Sequence, residues 1–192
     1  MIKNVKFSDV YERDLCRDAV INAEFEGFPL DYYLVHTLMR RYKPATIFEI
    51  GTNMGTGTKI LKNACMDAAV FTLDLPTELA HQSLQSPLSE GKGDKVGRNC
   101  NLPFVQLRGD SMTFDYSKYP CEAYFIDGEH DYYHPYHETK EALKQNPKLI
   151  VWHDADIDAV RRAIIDATNL VIEKDYDLFF VTDTRIAYAL KK

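Results

Sequence analysis

Cysteine is scarce in this chain. Four thiols, Cys16, Cys65, Cys100 and Cys121, are spread over 192 residues with no C-x-x-C pair. That spacing suits reduced thiols in a cytoplasmic protein better than a disulfide framework or a zinc site. No apolar run approaches the roughly 20 residues that span a bilayer. The opening Met-Ile-Lys-Asn-Val-Lys-Phe-Ser-Asp takes on charge at once and has no apolar h-region, so no signal peptide is expected. Basic residues are outnumbered, 23 Lys and Arg against 29 Asp and Glu, for a net charge of −6. A mildly acidic surface repels phosphate backbones and disfavours non-specific nucleic-acid binding. Repeats and low-complexity tracts are absent. With 45% apolar and 27% charged residues, the chain has the composition of one globular domain that needs no staple to fold.

What is present is an alternation. Residues 10–26 carry a loose helical pattern, and residues 31–42 a clearer one, with Leu34, Val35, Leu38, Met39 and Tyr42 at helical spacing, Asp31 placed to cap and Pro44 to stop it. This predicts an N-terminal helical segment over 1–44 that packs on the core as a substrate cap, ahead of a domain over 45–192. Ala45–Ile50 then reads as a buried strand and Thr58–Met66 as a helix. Further strands are expected at Val70–Leu73, Phe104–Leu107, Ala123–Ile126, Leu149–Trp152, Leu178–Thr182 and Ile186–Leu190, with helices at Tyr133–Lys144 and Ile157–Thr168. Short apolar strands alternating with helices imply a parallel sheet covered on both faces. The last link, beginning Asp183-Thr184, is too short for a crossover helix, so the final two strands are antiparallel. The stretch Ser86–Asn101, polar and rich in glycine, reads as a surface loop.

The most informative segment is Glu49-Ile-Gly51-Thr-Asn53-Met-Gly55-Thr-Gly57-Thr-Lys, a glycine-rich turn from the first of these strands into a helix. Glycines allow tight turning there, and amides at a helix N-terminus attract polar ligand groups. A phosphate-binding loop needs Gly-Lys-[Ser/Thr], whereas Gly57 is followed by Thr58-Lys59. A dinucleotide fingerprint needs a third glycine where Ile60 stands. The pattern E-x-G-x-x-x-G-x-G, with Asp74 at the next strand end, suits an adenosine ligand without a pyrophosphate, Asp74 offering two acceptor oxygens to ribose hydroxyls.

With Leu73-Asp74, Gly109-Asp110-Ser111, Phe125-Ile126-Asp127-Gly128-Glu129-His130 and Val151-Trp152-His153-Asp154 at successive strand ends, residues 45–190 resemble class I S-adenosylmethionine (SAM)-dependent methyltransferases. The resemblance is to their short O-methyltransferase-like group, marked by I-D-G-x-H and a later H-D. It implies an α/β fold: a Rossmann-like seven-stranded, mostly parallel sheet with an antiparallel last pair and helices on both faces. It also implies that Gly51, Asn53, Gly55 and Gly57 let the backbone approach SAM. Glu49 would orient that loop through backbone amides, Asp74 hold the ribose, and Asp110 with Ser111 lie beside adenine. The partners implied are a small-molecule acceptor (a sugar, phenol or natural-product scaffold) and, as an assembly the sequence admits, a second copy in a homodimer. Nucleic acid and membrane are not among them. Nucleic-acid amino-methyltransferases carry an Asn/Asp-Pro-Pro-Tyr/Phe turn where this chain has Asp127-Gly128-Glu129-His130.

Asp127, His130, His153 and Asp154 are the catalytic candidates, and three readings stay open. Asp127 and Asp154, with His153, hold a Mg2+-like cation that orients substrate oxygens; the catechol-type pattern has Asp-Asn where His153-Asp154 stands. Alternatively His130 or His153 is a metal-free general base. In the third, these residues cap helices and bind SAM only. Two rivals to the enzyme itself are a non-catalytic SAM-binding scaffold and an NAD-dependent enzyme on a similar sheet.

Overall fold

The structure, a computed structural model, describes residues 1–16, 29–76, 95–172 and 174–192. Eight strands form one sheet: β1 (Ile2–Lys6), β2 (Thr46–Ile50), β3 (Ala69–Asp74), β4 (Val105–Arg108), β5 (Ala123–Ile126), β6 (Leu149–Trp152), β7 (Tyr176–Thr182) and β8 (Ala187–Lys191). Their spatial order is β1-β7-β8-β6-β5-β2-β3-β4. All neighbours pair parallel except β6 with β8 and β7 with β8, so the expected antiparallel final pair is present. The helices are α1 (Phe7–Val10), α2 (Pro29–Tyr42), α3 (Thr56–Ala64), α4 (Tyr133–Lys144) and α5 (Asp158–Thr168).

Strand alternation sorts the interior into two cores. Successive side chains leave a strand on opposite faces. Ile47, Phe125 and Val151 therefore pack with Leu34 and Leu38 of α2 and with Ile60 and Leu61 of α3. Phe48, Ile50, Tyr124, Ile126, Ile150 and Trp152 pack on the other face with Ala142 of α4 and Val160 and Ile164 of α5. Because helices cover both faces, β5 and β6 are apolar at every position, and β2 is interrupted only by Thr46 and Glu49. Trp152 is fully buried, and its indole N–H donates to Thr139 Oγ1 at 2.8 Å.

Three local expectations change. The sheet has eight strands and not seven, because β1 pairs parallel with β7 from Ile2↔Leu178 to Lys6↔Thr182. The N-terminal segment, expected to be helical, thus contributes an edge strand. With Lys3, Asn4 and Lys6 in five residues it lacks an apolar signature, and lysines of this kind protect open edges from further pairing. The helix expected over 10–26 is replaced, as far as described, by α1 and a 3₁₀ turn at Arg13–Cys16; its remainder, 17–28, lies outside the described residues. The loop expected over Ser86–Asn101 is described only from residue 95, and His81 lies outside the described residues. Third, Asp31 does not cap α2: it sits inside the first turn, buried at 1% exposure.

The chain runs from β2 outward through β3 and β4, then returns to β5 on the other side of β2. That reversal opens a crevice at the carboxyl ends of β2 and β5, where open α/β sheets bind ligands.

Candidate functional site

The glycine-rich turn lines one side of the crevice. Gly51 has φ +96° and Gly55 φ +86°, a left-handed region that glycine enters without a Cβ clash. Gly51 N–H donates to Leu73 O at 2.9 Å, and Asp127 N–H donates to Ile50 O at 2.9 Å, so β3 and β5 both hold the turn. A Cβ on Gly51 would sit 1.9 Å from Asp127 O. The two motifs are thus in backbone contact. Residues 95–100 lie over the far side of the turn: Gly97 N–H donates to Asn53 O at 2.9 Å and Asn99 N–H to Met54 O at 2.8 Å.

Glu49 differs from its expected role. It bonds no backbone amide of the turn; instead its Oε2 accepts the Thr58 hydroxyl of α3 at 2.5 Å, while Oε1 is buried without a partner against Gly57. Burial pushes its carboxyl up to about 8, against the opposing bond from Thr58. Glu49 therefore tethers the helix that begins at the turn. Beneath the turn, Thr52 and Thr72 share a 2.6 Å hydrogen bond, and Gln106 Nε2 donates to Thr52 Oγ1 at 2.9 Å.

Asp74, at the end of β3, accepts from Asn53 N–H at 2.7 Å through Oδ2 and from Leu75 N–H at 2.8 Å through Oδ1. These bonds fix the carboxylate at the crevice rim, each oxygen keeping a lone pair. Asn53, whose amide makes the first of them, has φ +45°, which asparagine tolerates better than most residues. Asp110 and Ser111 follow β4. Asp110 Oδ1 accepts from Met112 N–H at 2.9 Å, and Ser111 bonds Glu138 of α4, a residue 1% exposed whose carboxyl burial pushes up to about 7.

The acid–histidine cluster forms the other side. Asp127 and His153 follow the register partners Ile126 and Trp152, so the strands deliver them side by side. The chain then turns sharply at Asp154, with φ +56°; sparsely populated backbone of this kind persists where surrounding contacts hold it. His153 Nδ1 lies 3.4 Å from Asp127 Oδ1 and 3.1 Å from Asp154 Oδ2, and its Nε2 lies 3.2 Å from Asp31 Oδ2. None of these contacts has the alignment of a hydrogen bond. His130 Nε2 is 2.7 Å from Asp154 Oδ2, and the Arg185 guanidinium pairs with Asp154 Oδ1. The four catalytic candidates therefore form one connected cluster, with His153 and Asp154 linking Asp127 to His130.

Charge explains the shifts. Burial works against a charged His153, but Asp154, Asp31 and Asp127 outweigh it and carry the imidazole up to about 10. Burial raises Asp127 to about 6, partly offset by His153. Asp154 is held well below the ordinary carboxylate range: burial opposes this, and the imidazoles of His130 and His153 beside it prevail. Among the described residues, Asp127, His153 and Asp154 bring one ligand atom each within 4.8 Å of the others, a fit for a metal ion. These are the three residues that the cation reading of the sequence grouped.

Two members of the cluster escape sequence reasoning. Asp31 arrives from α2 and Arg185 from the β7–β8 link, joined by Arg185 N–H donating to Asp31 Oδ1 at 3.0 Å. An acid on an otherwise apolar helix face was the one available signal for Asp31; nothing in the sequence marks Arg185. His36 is structural, buried with Nδ1 3.5 Å from Cys16 Sγ. His134 pairs locally with Asp131 through Nδ1 at 3.0 Å.

No family model and no curated protein matches the chain. Solved structures do. The SAH-bound Podospora anserina methyltransferase PaMTH1 shares 16% identity over 93% of this chain and 85% of its own, with a TM-score of 0.59. The O-methyltransferase from Bacillus cereus in complex with SAH shares 17% identity over 97% and 90%, also at 0.59. The MycE methyltransferase from the mycinamycin biosynthetic pathway, in complex with Mg and SAH, shares 16% identity over 93% of this chain and 53% of its own, at 0.56. At these identities the likeness speaks for architecture. The chain has the Rossmann-like fold of these methyltransferases.

Proposed function

We propose that this protein is a SAM-dependent O-methyltransferase of small molecules. The observation that carries the reading is the Gly51–Asp127 contact, which joins a cofactor-type glycine turn to an acid–histidine cluster in one crevice. Gly51, Asn53, Gly55 and Gly57 bring backbone against the methionine and ribose portions of SAM. Asp74 takes the ribose hydroxyls, and Asp110 with Ser111 sits beside adenine. SAH in the similar structures supports a cofactor of this type.

Transfer from a sulfonium is an in-line displacement: the acceptor oxygen forms a bond to the methyl carbon as the carbon–sulfur bond breaks, leaving neutral SAH. The protein's work is to hold the two in contact and aligned. The acceptor hydroxyl must also lose its proton. His130 is the base in this reading. Its side chain is 52% exposed while that of His153 is 7% exposed and hemmed by three carboxylates, so only His130 faces solvent and substrate. Asp154 orients it through Nε2. Asp127, His153 and Asp154 would hold a divalent cation, which when bound supplies Lewis-acid stabilisation of an oxyanion. The four free thiols support a reducing, cytoplasmic setting, and no helix among the described residues is long and apolar enough to cross a membrane.

Asp74→Ala tests the cofactor half. Loss of charge-assisted bonds to ribose is expected to weaken SAM and SAH by about 1.5–3 kcal/mol in calorimetric titration. Unchanged affinity in a folded variant would remove Asp74 from the ribose site. For the reaction itself, SAH release is followed with catechol, flavonoid and sugar acceptors, and SAH formed only when an acceptor is present is the expected result.

A further inference from the structure

His153 sets the character of the cation cluster. The residue is 8% exposed, and neither ring nitrogen has an aligned hydrogen-bond partner. Its two sides differ in kind. On the Nε2 side stands Asp31, 1% exposed, whose Oδ1 accepts Arg185 N–H and whose Oδ2 is otherwise unpartnered. On the Nδ1 side stand Asp127 and Asp154 together.

A histidine that ligates a metal does so as the neutral imidazole, giving up the proton that the surrounding carboxylates otherwise hold on it, and it then carries one N–H. Placed on Nε2, it gives Asp31 its missing donor, and a small ring rotation aligns the 3.2 Å contact. Nδ1 then presents a lone pair between two carboxylate oxygens. Three acceptors then converge within 4.8 Å, an arrangement that a cation among them would stabilise.

The donor set then selects the ion. Mg2+ and Ca2+ are hard cations that favour oxygen ligands and water. Imidazole nitrogen draws first-row transition metals, with affinity rising from Mn2+ to Co2+ and Ni2+. A carboxylate behind the ligating histidine is the usual outer shell of such sites, fixing the tautomer and ring orientation. Resting on the methyl-transfer reading, we propose that Asp127, His153 Nδ1 and Asp154 bind a first-row transition-metal dication in preference to Mg2+. Asp31 is the positioning residue that aims His153 at it.

The test uses full-length protein freed of metal by a chelator. MnCl2, CoCl2 and MgCl2 are titrated by calorimetry, the Mn2+ complex is examined by electron spin-echo spectroscopy for nitrogen coupling, and SAH is titrated into the same samples. Mn2+ and Co2+ are expected to bind at least about tenfold more tightly than Mg2+. Histidine nitrogen coupling appears in the wild type and disappears in His153→Gln. Asp31→Asn, which keeps an acceptor for Arg185 N–H, weakens Mn2+ by about 10–100-fold. Mg2+ binding as tightly as Mn2+, Mn2+ binding without nitrogen coupling, or no binding of any of the three overturns the proposal. Should His153→Gln not fold, the wild-type spectrum decides by itself. The SAH titration separates this proposal from its foundation. SAH binding without a transition-metal preference leaves methyl transfer standing, and failure to bind SAH removes that reading whatever the metals do.

Discussion

Gly51→Ala is expected to weaken SAM and SAH binding by about a hundredfold or more, the equivalent of roughly 2.7 kcal/mol. Gly51 holds φ +96°, where an L side chain is strained, and its new Cβ would lie 1.9 Å from Asp127 O and 2.6 Å from Asp127 C. Those atoms are backbone, so no side chain can swing aside. Asp127 N–H is tied to Ile50 O at 2.9 Å, one residue before the substitution, so relief requires β2 and β5 to separate at their carboxyl ends. Backbone strain alone costs of order 1–3 kcal/mol, and the overlap adds to it. The displacement falls on the crevice and moves Asp127 with it, so metal binding declines along with cofactor binding. Calorimetry with SAH, beside a circular-dichroism melt to show that the sheet persists, measures this directly. Wild-type SAH affinity in a folded Gly51→Ala protein would place the cofactor somewhere other than this turn.

His130→Ala is expected to lower kcat by about 10²–10⁴-fold, the usual worth of a positioned general base. The KM for SAM should stay within about threefold, because in the proposed arrangement His130, against Asp154, serves the acceptor and not the cofactor. A purely structural role would disturb both constants together, whereas a lost base leaves cofactor binding intact. Exogenous imidazole, small enough to enter beside a side chain 52% exposed, should restore part of the rate. The corresponding change at His153 is not expected to respond to imidazole, since that ring is enclosed by Asp31, Asp127 and Asp154. Undiminished kcat in His130→Ala would pass the base role to another group or make it unnecessary.

The central strands and the motifs at their ends were legible because both depend on local pattern. Ala123–Ile126 and Leu149–Trp152 are short apolar runs closed by polar residues, and the structure keeps those bounds. Adjacent parallel strands in register then place Asp127 beside His153 with no further information. Edge and long-range features were not legible. β1 carries three polar residues among five, Lys3, Asn4 and Lys6, and its place beside β7 comes from residues about 175 positions away in the chain. Asp31 looked like a cap because acids favour helix starts, but the start of α2 lies two residues earlier, at Pro29, and the carboxylate turns inward to His153 and Arg185. Glu49 was read as a loop-orienting acid. Its strand position instead sends the side chain toward Thr58 on α3, a contact that no spacing rule in the turn encodes. His153 was legible as a cation ligand beside Asp127 and Asp154, but the Asp31 carboxylate on its Nε2 side emerged only once α2 had been brought against the ring.

The most direct measurement is a thermal-shift panel with SAM, SAH, NAD and ATP on the full-length protein. A ligand at about 100 times its Kd adds roughly 2.7 kcal/mol to stability, or about 5–10 °C in Tm for a domain of this size. The crevice described above predicts that shift with SAM and with SAH, and none with NAD or ATP. A shift with NAD in their place, or no response to saturating SAM and SAH, would contradict the assignment of this crevice to methyl transfer.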